Sequence, residues 1–514
     1  MPMNTRNIRT PGIALCAGLA LFLAGTARAQ IFQSIFPGGF SADAARGGVL
    51  HTRDGGTISV GESQSFGTGG YDVYVVKTNR CGLISWSATY DIGGQDHGRK
   101  IRQTRDGGYI IVGSTQNLNS CCASVAVVSP ALPPNDIFLL KIDSSGTTEW
   151  AKTYGGLRND EGTDIQLVGS TGYIVSGHTG SFGFGRINAY LMRTDTRGNV
   201  AWGRTYGDGA EYFNSCAVMA GGDILAAGAS RSYTDIENIF AVRVSATDGS
   251  LIWANVYPSR GEGVARSIIE IFEDQIAVAG WIAQGGPGGQ RDGYLARMNG
   301  AGLMLIDRAY GETSGKFNDE LAEVRQSPGG SLVVTGFLTN ARGGFGERDL
   351  YLSEVNSKLG IMWASVHGGV RNDEGQSLDL SRNDAAKQTI TAAGVTTSFT
   401  KADEDLYLLR AAYGGRTGCY DATPAVEESF PGLQNTPVRF CSPLIYTQCN
   451  ASAPAVFNHS QRLLCTSCRD DEDSRQQPDD PYLGHAESGE PALHSDLLPA
   501  TAGSHDAAPG HLER

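Results

Sequence analysis

The chain has 514 residues, 69 of them glycine, and a formal net charge of −13. Glycine at about twice its average usage, recurring at fixed places, speaks for a turn-rich repeat rather than a helical fold. The acidic balance leaves no basic face to neutralise phosphates, which excludes nucleic acid as a partner.

The first residues read as an address. Arg6 and Arg9 precede an apolar run from Ile13 to Ala24, followed by Ala27-Arg28-Ala29. A positive start, a short apolar core and a small-x-small site make residues 1–29 a secretory signal peptide, cleaved near Ala29. A secreted or periplasmic product is expected. No later segment approaches the roughly 20 apolar residues of a membrane helix, so no membrane span is expected.

From residue 30 to 418 the chain repeats. A glycine closes a short apolar run at Gly61, Gly113, Gly177, Gly228, Gly280, Gly336 and Gly394, with gaps of 51 to 64 residues. That period suits four strands and their loops. Strand A ends in turns such as Asp54-Gly55-Gly56 and Asp106-Gly107-Gly108, where glycine supplies the positive φ of a tight hairpin. Strand B follows as in Tyr109-Ile110-Ile111-Val112. Strand C opens on an Asp or Asn, with an aromatic two positions later in every copy: Tyr74, Phe138, Tyr190, Phe240, Tyr294, Tyr351 and Tyr407. Strand D carries Trp86, Trp150, Trp202, Trp253 and Trp363, with Ile306 in the slot between Trp253 and Trp363. One large side chain per copy suits packing between neighbouring sheets.

The last copy has Cys419 where its strand D aromatic belongs, and Phe32 to Phe36 at the other end of the repeat region matches the missing strand. The expected fold is therefore all-β: a seven-bladed β-propeller of four-stranded antiparallel blades, its ring closed by the N-terminal strand. Closure removes exposed sheet edges and the need for capping repeats.

The segments Asp143-Ser144-Ser145-Gly146-Thr147-Thr148-Glu149-Trp150 and Asp195 to Trp202 read D-x-x-G-x-x-x-W. They resemble the tryptophan-docking repeats of quinoprotein-type propellers. The whole unit, with its Thr-x-Asp-Gly-Gly-Tyr and Ser-Phe-Gly elements, is similar to secreted bacterial propeller repeats of uncharacterised type. The adjacent Cys121 and Cys122 lie in the longest B–C loop. Some quinoprotein alcohol dehydrogenases hold a vicinal disulfide over their cofactor, so the resemblance implies an oxidoreductase as one alternative, while the leading reading of the pair is a loop staple, vicinal or to distant cysteines. Those enzymes have eight blades, and their calcium ligands and catalytic aspartate find no matching positions here.

If strand A runs downward, the B–C and D–A loops share one upper face, the natural place for recognition on a rigid scaffold. Recurring acids stand there just before strand A: Asp96, Asp160, Glu161, Glu211, Asp319, Glu320, Asp373 and Glu374. They are candidate binding residues with three readings: hydrogen bonding to backbone amides between blades, a calcium site, or a paired-carboxylate hydrolase. Calcium suits several carboxylate oxygens. Hydrolysis needs two acids in unlike environments, which near-identical repeats disfavour. No catalytic residue is assigned, and no cofactor is expected beyond a possible calcium.

Composition shifts after Gly418. Residues 419–468 hold Cys419, Cys441, Cys449, Cys465 and Cys468 and read as a disulfide-stapled extension packed beside blade seven. An odd cysteine count after the signal requires at least one unpaired thiol. Residues 469–514, opening on Asp470-Asp471-Glu472-Asp473, lack the apolar content to fold and are expected to be a disordered acidic tail. The leading expectation is a monomeric, non-enzymatic binding scaffold for a protein or glycan ligand, with a lectin-like module and a quinoprotein-type oxidoreductase as alternatives.

Overall fold

The computed structural model of the chain describes residues 31–466, apart from 37–41, 45, 68–69, 117–133, 234, 260, 273, 284–289, 313–316, 342, 382–388, 400–403, 418–420, 425, 430–432, 434–435, 438–447, 451–455 and 458–461. The chain divides into two units, Met1–Arg469 and Asp470–Arg514. The signal segment, Cys121, Cys122, Cys419, Cys441, Cys468 and the acidic tail lie outside the described residues.

Among the described residues every regular element is a strand, and the strands form seven antiparallel sheets, the blades of a propeller. Blade 2 shows the pattern. Strand A is Asp96–Gln103, B is Tyr109–Gln116, C is Asn135–Ile142 and D is Thr148–Tyr154, hydrogen-bonded in that order. Blades 3 to 6 repeat it over residues 160–206, 211–257, 263–312 and 320–367. In blade 1 strand A is split into Asp43–Ala44 and Val49–His51, both paired with Thr57–Ser63. Blade 7 takes strands A to C from residues 373–412 and its strand D from Phe32–Phe36, with Phe32 opposite Arg410 and Phe36 opposite Leu406. The N-terminal strand closes the ring, as the repeat implies. All seven strand C aromatics are buried, none more than 3% exposed.

The D-x-x-G-x-x-x-W segment is an inter-blade lock. Each strand D aromatic lies on the C–D turn of the following blade, whose glycine has positive φ. A Cβ at Gly146 would sit 3.0 Å from the Trp86 ring, one at Gly198 2.9 Å from Trp150, and one at Gly82 2.5 Å from Phe32. Only glycine gives both the φ and the close approach. Four residues past the tryptophan, Tyr90, Tyr154, Tyr206 and Tyr257 donate their hydroxyls to the carbonyls of Gly146, Gly198, Gly249 and Gly302 at 2.6–2.7 Å. Each tyrosine thus buries its ring while satisfying its polar end.

A second ring of bonds ties the inner strands. Strand A is bulged in blades 2 to 7, after residues such as Gly98, Gly162 and Gly375. A bulge re-aims the next side chain, and several of these side chains accept an amide of the following blade. Ser215 Oγ takes Ile268 N, Ser267 Oγ takes Val324 N, Glu323 Oε2 takes Leu378 N and Ser377 Oγ takes Val49 N, at 2.9–3.3 Å. Asp164 Oδ2 does the same for Cys216 N at 3.1 Å.

The C-terminal extension does not pack beside blade seven alone. It runs round the outside of the ring in the direction opposite to the blades. Asp421–Ala422 pairs with strand D of blade 6, Val426–Ser429 with that of blade 5 and Thr436–Pro437 with that of blade 4. Gln448–Asn450, Val456–Phe457 and Arg462–Thr466 follow on blades 2, 1 and 7. Among the described residues only blade 3 keeps four strands. The physical reason is that every strand D presents an unpaired edge, which an extended chain satisfies by main-chain bonds alone. Leu433 anchors this belt: it is 6% exposed, packs into the core shared by blades 4 and 5, and donates its amide to Asp307 Oδ2 at 2.9 Å.

Candidate functional site

The upper end of the ring axis gathers the starts of the A strands and the ends of the B strands. The acids expected there divide into two sets. Asp96, Asp160, Glu211, Asp319 and Asp373 are each no more than 1% exposed. Asp160 accepts from Gly156 N at 2.9 Å, Ser181 Oγ at 2.6 Å and the Thr179 hydroxyl. Asp373 makes the same set with Gly369 N, Ser398 and Thr396. Glu211 takes Gly209 N, Ala210 N and Ser230 Oγ, while Asp319 takes Thr339 N. These carboxylates cap their own D–A loop and fasten it to the end of strand B. Burial raises the pKa values of Asp160 and Asp373 despite those donors and pushes Asp96 up to about 6.

Glu161, Glu320 and Glu374 stand one position later and, by strand alternation, face the other way. They are half-buried at the rim of the axis. Glu320 Oε1 lies 2.6 Å from Arg266 Nε, Glu374 pairs with Arg348, and Glu161 accepts from Asn135 Nδ2 at 3.4 Å. In the same strand position blade 2 carries His97 and blade 4 carries Tyr212. His97 Nδ1 is 2.5 Å from Glu62 Oε2, and its ring lies 5.1 Å from that of Tyr71. Tyr212 faces His178 edge-on at 6.4 Å. Burial works against the Glu62 anion, but His97, Arg99 and Arg46 outweigh it and hold its pKa below the usual carboxylate value. Burial lowers the pKa of His178, so this imidazole is neutral at pH 7. Trp281 is covered rather than open, with the Arg291 guanidinium 3.8 Å above its ring.

Below this rim an ion pair crosses the channel. Lys100 of blade 2 reaches Glu323 of blade 6, Nζ to Oε1 at 2.9 Å. Those blades are not neighbours, so the pair crosses the interior of the ring. Arg325 also pairs with Glu323, and Arg102 Nη2 lies 3.1 Å from Asp164 Oδ1. The upper mouth, called the bowl below, therefore carries acids, bases and rings side by side, with ion pairs beneath them.

Glu62, His97, Tyr212 and His178 were not among the residues singled out from the sequence. Their signal is positional: each shares the strand slot of Glu161 or of its partner on strand B, but the residue type changes from blade to blade. Of the cysteines, Cys216 is a free thiol, fully buried, with its pKa raised first by burial and then by Asp164. It meets the requirement for an unpaired thiol and is not placed to react. At the opposite end of the ring a depression of about 430 Å³ is lined by Thr171, Arg193, Thr194, Asp195, Ala201, Ala246 and Thr247.

No protein-family model matches the chain, and no curated protein matches it. Among solved structures, it is similar to a protein of unknown function from Bacteroides caccae, at 11% identity over 56% of this chain and 90% of that one, TM-score 0.36. A protein of unknown function from Dyadobacter fermentans DSM 18053 is 9% identical over 74% of this chain and 98% of that one, TM-score 0.42. The quinohemoprotein alcohol dehydrogenase from Comamonas testosteroni is 10% identical over 75% of this chain and 76% of that one, TM-score 0.37.

Proposed function

We propose that this chain is an extracytoplasmic, non-enzymatic binding scaffold whose recognition surface is the B–C and D–A loop face around the bowl. The observation that carries this reading is a set of five exposed apolar side chains on those loops. Leu157, Phe184 and Ile187 stand out from blade 3 and its approach, with Phe184 62% exposed. Phe345 and Val370 stand out from blade 6 and the loop leading to blade 7, with Val370 76% exposed. Large apolar side chains offered to solvent around a polar centre suit a protein partner, whose affinity concentrates in a few such anchors.

The bowl supports binding better than chemistry. Glu62, Glu320 and Glu374 are already ion-paired. A general acid and base need two carboxyl groups with environments that drive their pKa values apart around one substrate. The test is capture of extracytoplasmic proteins by the intact chain and by Phe184→Asp and Val370→Asp variants, with a glycan array run in parallel. Specific capture lost in both variants supports the reading. A turnover reaction abolished by Glu161→Gln, Glu320→Gln or Glu374→Gln would overturn it, and glycan binding with no protein capture would move it to the lectin-like alternative.

A further inference from the structure

We propose that the lower ends of strand D in blades 4, 5 and 6 form a self-contact, through which two copies of this chain pair about a two-fold axis. The residue just before the strand D tryptophan slot is Ile252 in blade 4, Leu305 in blade 5 and Met362 in blade 6. Leu303 stands beside Leu305, and Phe272 stands on the A–B turn of blade 5 at the same end of the ring. These five side chains are each between 49% and 60% exposed. In blades 1 to 3 the slot before the tryptophan holds Ser85, Glu149 and Ala201 instead. Apolar residues scattered singly over a surface need no explanation, but a sector of them on three neighbouring blades does.

A second observation says what covers this sector. The belt pairs only with the upper part of each strand D: Asn255 and Val256 in blade 4, residues 309–312 in blade 5, and Val366 and His367 in blade 6. Among the described residues, the stretches 251–254, 304–308 and 361–365 have strand C on one side and no strand on the other. An open edge beside apolar side chains is a template for another strand. A two-fold axis at 304–308, in the middle blade, lays that stretch antiparallel to its own copy. The same isologous contact sets the apolar sector of one copy against that of the other.

Size and charge agree with a second copy as the occupant. Five side chains about half exposed offer on the order of 500 Å² of apolar surface, as much as the largest patch of a typical monomer. A standard interface covers about 800 Å² on each partner, an apolar centre within a polar rim. Near a two-fold axis each charge meets its like, so a self-contact needs bordering cations that are already engaged. Arg308 pairs with Glu428 at 3.7 Å and Arg243 with Asp223 at 2.7 Å, while Arg297 donates to Gln275 and to the Ser357 carbonyl. The same engagement disfavours an anionic membrane, which attracts clusters of unpaired Lys and Arg.

This contact lies at the opposite end of the ring from the recognition surface proposed above, and its test uses other residues. The mass of the intact chain in solution is measured by sedimentation velocity over a concentration series, alongside Leu305→Ser and Met362→Glu. Both variants borrow the residue that a sister blade carries in the same slot, as at Ser85 and Glu149, so both are expected to fold, which thermal melting checks. The expected result is a dimer for the parent chain and at least tenfold weaker self-association in each variant. Phe184→Asp and Val370→Asp, on the upper loops, are expected to remain dimers. A parent chain that stays monomeric throughout the series overturns the proposal, and so does a dimer that both lower-face variants retain in full. Recruitment of a monomeric parent chain to vesicles of phosphatidylserine and phosphatidylcholine also overturns it and gives this face to a membrane.

Discussion

Ile306 and Leu359 occupy, at the interface of blades 5 and 6, the two positions that a tryptophan and a glycine hold at their neighbours. Leu359 keeps the left-handed backbone of the turn, φ 62°, and is fully buried in the core against which Ile306 packs. Its carbonyl still receives the Tyr310 hydroxyl, at 2.5 Å. The ring lost at 306 is replaced by the side chain gained at 359. Ile306→Trp alone is expected to cost about 1–3 kcal/mol by overpacking, and Leu359→Gly alone about 2–5 kcal/mol by leaving a cavity. The double variant should recover part of both losses, with a coupling energy of about 1–3 kcal/mol in a urea-unfolding cycle. Simple additivity would show that the two residues do not exchange volume.

The cross-axis pair predicts an acid transition. Burial opposes the Glu323 anion, but Arg325 and Lys100 outweigh it and hold its pKa at about 2. The unfolded value is about 4.3, so the folded carboxyl is the stronger acid. Its contribution, on the order of 3 kcal/mol, is present above about pH 4.3 and is lost as pH falls toward 2. Lys100→Met raises the folded pKa. Denaturation midpoints measured from pH 2 to 7 should show a lower neutral stability and an acid loss that begins at higher pH than in the parent chain.

Asp160 predicts the opposite sign. Its folded pKa lies above the unfolded value, so the native state holds a proton that the unfolded chain gives up, and this contribution declines as pH rises through that window. Asp160→Ala also leaves the amides of Gly156 and Ser181 without their acceptor, at about 1–3 kcal/mol. The deficit of the variant relative to the parent chain should be larger at pH 4 than at pH 7, read by urea unfolding at both.

The belt predicts a local loosening. Leu433→Ala removes the side chain that seats the extension between blades 4 and 5, at a cost of about 2–3 kcal/mol. Hydrogen exchange should quicken first in Val426–Ser429 and in the facing residues of blade 5 strand D, Ala309 to Glu312. Equal acceleration across all seven blades would mean that the belt is not a separable element.

The blades were legible because their signals are local. Asp-Gly-Gly turns, the strand C aromatic and the strand D tryptophan each recur at a fixed offset, and Phe32 to Phe36 fits the vacant seventh strand by the same offsets. The Asp-Glu pairs were legible as a group, but their division was not. Asp160 turns toward loop amides and Glu161 toward the bowl because strand alternation sends adjacent side chains to opposite faces, and only the assembled ring says what each face meets.

By itself the sequence determined the number of blades, the turn glycines, the buried aromatics and the strand that closes the ring. Each follows from short-range periodicity: positive φ at a glycine, or alternation along a strand. The tertiary structure alone decided that Lys100 meets Glu323 across the axis, that Glu62 and His97 meet at the upper mouth, and that six described strands between Asp421 and Thr466 each pair with a different blade. Those contacts join positions far apart in the chain through an ion pair or through main-chain bonds at an open edge. Neither leaves a periodic trace in the residues that make it.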